Sequence, residues 1–216
     1  MGTRLRPELR DLPIRMQDLP IDERGYPVPA FVATIDGKRD FRVASWEHWA
    51  RCVNSRRCWV CGDRLGSYLA FAIGPMCAVN RTTSEPPSHA ECARWSAQFC
   101  PFLSRPQAKR REDDLTREAM ENVAGCPIQR NPGCCAVWIT HSYRLFRDPQ
   151  GKSLVEIGPP VAVEWYAEGR LATRAEIEES LRTGMPALEE LARLERGGME
   201  ALEKARREID HLLPPG

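Results

Sequence analysis

Two residue pairs with the same internal spacing, Cys58-Trp-Val-Cys61 and His89-Ala-Glu-Cys92, constrain this chain more than anything else in it. Two thiols three residues apart, followed by Gly62, fit a tight knuckle that turns both sulfurs to one side. A histidine and a cysteine three apart at the start of a helix can present two more donors to the same point. Three sulfurs and one imidazole make a Cys3His tetrahedron, the closed coordination of structural zinc. Zinc is therefore the expected cofactor, with Cys58, Cys61, His89 and Cys92 as its ligands. Any fold that uses them must bring residue 58 beside residue 89, and zinc binding to such sites is worth roughly 10–16 kcal/mol in peptides. Cys77 and Cys100 are alternative ligands, and an iron–sulfur cluster is the alternative to zinc. The compact cysteine runs of ferredoxins are missing, which favours zinc.

The chain carries nine cysteines in 216 residues, an odd count that argues against a disulfide framework. The N-terminus, Met1-Gly-Thr-Arg-Leu-Arg-Pro-Glu, has no apolar signal-like core, and no apolar run is long enough to span a bilayer. A reducing cytoplasm is the expected setting, with no membrane, where cysteines serve as thiols or metal ligands. Cys52, Cys126, Cys134 and Cys135 sit in apolar or turn contexts and read as small core residues.

The expected class is α+β, one domain over 1–216: an antiparallel sheet or meander, a zinc-stabilised middle and a helical C-terminus. Residues 1–30, punctuated by Pro7, Pro13, Pro20, Pro27 and Pro29, read as an extended arm packed over the rest. The zinc-bearing region spans 31–106. In it, Asp36-Gly37 predicts a hairpin between two β-rich runs, and Ser45 caps a helix from Trp46 to Asn54. Tyr68–Ile73 and Met76–Val79 read as two strands turned by Gly74-Pro75. Ser88 caps a helix to about Phe99, with Glu91 at the capping-box position. Residues 107–169 hold a surface helix and strands at Cys135–Thr140, Tyr143–Phe146, Leu154–Ile157 and Val161–Trp165. Residues 170–216 are helical, opened by the capping box Thr173-Arg-Ala-Glu176 and broken into about three pieces by Gly184, Pro186 and Gly197-Gly198.

Knuckle, hairpin, then a helix whose first turn gives the second ligand pair is an order that resembles treble-clef zinc fingers. The resemblance covers Cys58 to Cys100, about a fifth of the chain. A redox Cys-x-x-Cys is disfavoured because no βαβ pattern surrounds it. His89-Ala-Glu91 is similar to the His-x-Glu of zinc deaminases, but the order of its parts is reversed and Arg57, not proline, precedes Cys58. The loop Asn80–Glu85 places polar groups between prolines. An enzyme with a pocket beside it, of zinc hydrolase or deaminase type, would draw on Arg81, Glu85, Glu91 and His141.

Net charge is only +1, yet Arg51 to Arg111 holds ten Lys/Arg against three acids, a local charge of +7. Basic charge beside a zinc site points to phosphate contacts, with Arg105, Lys109, Arg110 and Arg111 as the nucleic-acid-binding candidates. Trp46, Trp49, Trp59 and Trp95 near the metal read as core residues rather than stacking platforms. Leu181, Leu188, Leu191 and Leu194 form an apolar stripe that covers the sheet or makes an oligomer.

Cys58-Trp-Val-Cys-Gly62, Ile73-Gly-Pro-Met-Cys-Ala-Val-Asn-Arg81, Glu85-Pro-Pro-Ser-His89, Cys100-Pro-Phe-Leu-Ser-Arg-Pro106, Trp165-Tyr-Ala-Glu-Gly-Arg170 and Ala172-Thr-Arg-Ala-Glu176 together span most of the chain. In this combination the chain resembles a group of uncharacterised proteins encoded by bacteriophages and by actinobacteria and other bacteria. The resemblance implies an intracellular, mobile-element setting and no particular chemistry. The function expected is a zinc-binding regulatory factor that contacts nucleic acid or a partner protein.

Overall fold

A computed structural model describes residues 4–104 and 132–216. The expected surface helix at 109–121 lies outside the described residues. The fold is mixed α+β, with antiparallel sheets, a Cys/His cluster in the middle and helices at the C-terminus. No described helix is long and apolar enough to cross a membrane.

Short-range chemistry sets the first elements. β1 (Val32–Ile35) and β2 (Lys38–Ala44) pair around Asp36 and Gly37, whose φ values of 49° and 76° are those of a hairpin turn that follows strand twist. Ser45 accepts a hydrogen bond from the His48 backbone N–H and starts α1 (Trp46–Ser55). Trp46 departs from the expected core role: it is 64% exposed and stacks on Trp49.

The first correction follows β3 (Leu69–Ile73). Met76–Val79 is not a strand but part of α2 (Pro75–Asn80). Pro75 occupies the first helical position, where its missing N–H costs nothing, and Arg81 ends the helix in the left-handed region. Buried Met76, Ala78 and Val79 face the rest of the core. Two-residue β4 (Thr82–Thr83) follows. α3 (Ala90–Phe99) leads into the short α4 (Pro101–Ser104).

β5 (Cys135–Thr140), β6 (Tyr143–Arg147), β7 (Ser153–Ile157) and β8 (Pro160–Ala167) form where expected, and β9 (Arg170–Leu171) closes the series. Their neighbours are set by long-range pairing. One sheet runs β3-β5-β8-β9 and the other β4-β7-β6, so the β6–β7 hairpin leaves the first sheet and β8 returns beside β5. β5 is buried along its whole length because the sheet is covered on both faces. Cys135, Val137 and Ile139 pack with Ala70, Ala93 and Ala97 under α3, where alanines permit close approach. The alternate residues, Ala136 and Trp138, join the larger core with Leu69, Phe71, Ile177 and Ile209. Cys52, Cys134 and Cys135 are buried, as expected of core thiols.

The C-terminus corrects a second expectation. α5 (Arg174–Ala192) runs unbroken through Gly184 and Pro186, and α6 (Gly198–Asp210) starts after Gly197 at φ 74°. An internal proline costs a helix about 3 kcal/mol. Burial of Ile177, Gly184, Met185 and Leu188 along one face offsets it. The capping box forms as predicted: Thr173 Oγ1 accepts from Glu176 N, and Glu176 accepts from Thr173 N. Of the leucine stripe, Leu188 is buried and Leu181 packs on the core, while Leu194 is 80% exposed.

Candidate metal centre

The knuckle is a two-stranded turn closed by backbone groups. Arg57 bridges Arg64, Cys58 N–H donates to Asp63 O at 2.7 Å, and Gly62 N–H donates to Cys58 O at 2.9 Å. Gly62 has φ 82°, a left-handed conformation that side chains rarely adopt, and a Cβ there would stand 3.4 Å from Ala30 Cβ. The turn aims Cys61 N–H at Cys58 Sγ, 3.4 Å away. Trp59 N–H donates to Pro87 O, and Ala30 N–H to Val60 O, so the knuckle is tied to the segment that leads into α3 and to the residues just before β1.

Ser88 does not cap α3, contrary to expectation. Its backbone N–H and C=O both pair with Ala70 on β3, at 2.7 and 2.9 Å, which leaves His89 as the extended N-cap residue. The pairing delivers His89 to the knuckle, where its N–H donates to Cys58 Sγ at 3.4 Å. Cys92 follows in the first turn of α3, where the positive end of the helix dipole favours a thiolate. His89 Nε2 lies 3.1 Å from Arg64 O; with the proton on Nε2, Nδ1 is left facing the sulfurs.

One donor atom from each of Cys58, Cys61, His89 and Cys92 lies within 4.8 Å of every other. Zinc bond lengths imply tetrahedral edges of about 3.5–3.8 Å. Cys61 Sγ is 3.4 Å from His89 Nδ1 and Cys92 Sγ 3.9 Å from it, so the group fits a zinc-sized ion. With no ion between them, hydrogen bonding to the Cys58 and Cys61 sulfurs raises the His89 imidazole to about 10 against the pull of burial. Cys58, His89 and Cys92 are buried, whereas Cys61 is half-buried and lines a groove of about 850 Å³ with Ile14, Asp63, Glu91 and Trp95.

The remaining candidates scatter. Cys77, on α2, and Cys100, after α3, stand outside the four-residue group, their thiols pushed up by burial. Arg81 lines a cavity of about 300 Å³ with Trp138, Glu208 and His211, remote in character from the metal groove that holds Glu91. Glu85 and His141 line neither. Protein mass around Glu85 pushes its carboxyl up to about 7, but the residue is itself exposed, and water screens that push. His141 is exposed, with its ring against Tyr68 and Nδ1 3.1 Å from Ser67 O. Glu91 accepts from Arg15 Nε at 3.1 Å and takes no part in a capping box. Arg105, Lys109, Arg110 and Arg111 lie outside the described residues.

Two supporting residues escaped the sequence reading. Buried His48 sets Nε2 3.2 Å from Trp59 O inside the knuckle and 3.3 Å from Cys52 Sγ, and burial lowers its pKa, which favours the neutral ring. Its four-residue spacing from Cys52 on one helix was the available signal. Arg15 joins the arm to Glu91 and, at 3.7 Å, to Asp63. Nothing local in the sequence announces that pairing. The Trp59 ring stacks on Phe31 at 4.9 Å, and its buried indole N–H has no hydrogen-bond partner among the described residues.

No protein-family model, curated protein or solved structure matches this chain. The chemistry of the site carries the functional reading.

Proposed function

We propose that the chain is a zinc-stabilised nucleic-acid-binding protein, in which the metal holds a basic surface in shape and takes no part in chemistry. The observation that carries this is the closed ligand set. Four protein donors around one point complete a tetrahedron and leave no corner for water, so the ion has no means of generating hydroxide or polarising a substrate. Of the expected treble-clef order only the knuckle and the ligand-bearing helix are present, and the strand and helix β3–α2 stand where a hairpin was expected. The sequence charge of +7 over Arg51 to Arg111 supports an attraction for phosphate. A reducing cytoplasm, in which the thiolates persist as ligands, suits this reading, as does a regulatory role in a bacteriophage or mobile element.

Metal analysis of the purified chain should give one zinc per molecule. Binding to mixed oligonucleotides should be measurable at 50 mM salt and weaken steeply as salt rises, because counterions are released when arginines meet phosphates. A zinc-loaded, folded chain that binds no oligonucleotide at 50 mM salt overturns the proposal.

A further inference from the structure

Several arginines toward the C-terminus are committed to carboxylates: Arg170 on β9 to Glu176, and Arg174, Arg182 and Arg193 to Asp210, Glu179 and Glu189. Those of the knuckle are not. Arg56, Arg57 and Arg64 are all exposed, and none forms a salt bridge with a described residue. The nearest acid in sequence, Asp63, is turned to Arg15. These three positive charges sit on two backbone segments joined by the Arg57–Arg64 bridge, and no salt bridge to a described acid offsets them.

The three are gathered by backbone pairing. Arg57 bridges Arg64, Leu65 N–H donates to Arg56 O, and Arg56 Nη2 donates to Gly66 O at 3.1 Å. The same strip continues through Ser67 to Tyr68, an exposed ring at 56% of its surface. His141 lies against it with centroids 4.7 Å apart and is anchored to Ser67 O. An unpaired basic strip thus runs directly into an exposed aromatic pair, and the zinc knuckle fixes the backbone under it.

We infer that this strip, Arg56, Arg57, Arg64, Tyr68 and His141, binds single-stranded nucleic acid, with the arginines on the phosphates and the Tyr68 ring against a base. Single strands fit because their bases have free faces to stack, whereas in a duplex those faces are occupied. The inference rests on the proposed nucleic-acid function and adds the face and the strandedness. It requires nothing from residues 105–111.

The test uses the zinc-loaded full chain and a fluorescent oligothymidylate of about 20 nucleotides, longer than the site of a single small fold. Removing one phosphate-bound arginine should lower the slope of log affinity against log salt by roughly 0.7. Arg56→Gln alone should remove about that much, and Arg57→Gln with Arg64→Gln about twice as much. Tyr68→Ala should weaken binding about 5- to 150-fold, the range for one stacked base, and leave the slope unchanged. Arg182→Gln with Arg193→Gln removes two charges from paired positions and should change neither quantity. Arg56 lies outside the Arg57–Arg64 bridge, so its variant keeps the test open if the double knuckle variant fails to load zinc. An unchanged slope in a zinc-loaded Arg56→Gln chain, or unchanged affinity in Tyr68→Ala, overturns the assignment of this face. In either case the proposed function still stands if the native chain binds. Failure of the native chain to bind overturns both.

Discussion

The knuckle with α3 and the pair α5–α6 are held together in opposite ways. The first depends on four side chains that meet at one point, with Cys58 and Cys92 buried in the main core. The second spreads its stability over residues 174–210, through Ile177, Met185, Leu188, Leu202 and Ile209, a capping box and surface ion pairs. Concentrated support fails all at once, whereas distributed support fails by degrees. Because both regions feed the same core, failure at the metal should reach the helices, while damage in the helices should leave the metal bound.

The largest effect tests that asymmetry directly. Metal binding to sites of this kind is worth roughly 10–16 kcal/mol, as much as the whole stability of an ordinary domain. Chelation, or Cys58→Ser, should therefore abolish cooperative folding of the chain, with the far-ultraviolet signal lost in step with zinc. Cys134→Ser replaces a buried thiol that is no ligand. It should cost about 1–3 kcal/mol and keep one equivalent of zinc. A metal-free chain with a native circular dichroism spectrum would erase the contrast between the regions.

Next in size is Ile177→Ala, which empties a fully buried position on α5. The expected loss is about 2–5 kcal/mol in urea denaturation, with zinc content unchanged. Loss of zinc from that variant would show that the two regions are not separable as described.

A smaller effect carries a pH signature. Glu176 is held down to about 2 by hydrogen bonds from Arg170 and from the Thr173 backbone. Its folded value lies below the unfolded value of about 4.3, so its contribution is complete above about pH 4.3 and lost as pH falls toward 2. Glu176→Gln should lower stability by about 1 kcal/mol at pH 7. The gap between variant and native urea midpoints should hold to pH 5 and narrow only below it. A gap already closed at pH 6 would show that Glu176 is not held in this way.

The smallest effect is at the metal's edge. Glu91 pairs with Arg15, each about half exposed, and such pairs contribute less than about 1 kcal/mol. Glu91→Gln should keep zinc, fold and oligonucleotide binding. Complete loss of function in a folded, zinc-loaded Gln variant would make Glu91 a proton carrier and bring the enzymatic reading forward.

What could be read from the sequence was settled within a few residues. The Asp36-Gly37 turn, the Ser45 cap and the Thr173–Glu176 box each depend on neighbours that no distant contact displaces. The two ligand pairs were equally legible, because a three-residue spacing on a tight knuckle or a first helical turn fixes the direction of both donors. The tertiary structure decided the rest. Met76–Val79 is apolar without a period of its own, and packing against the C-terminal helices makes it a helix rather than a strand. Ser88 could cap a helix, but β3 takes its backbone and passes the N-cap position to His89. The return of β8 beside β5, the helix that runs through Pro186, and the contact of Arg15 with Glu91 beside the metal site all depend on residues far apart in the chain. Partners of that kind are chosen by burial and by the need to pair every polar group left inside, and no local spacing records that choice.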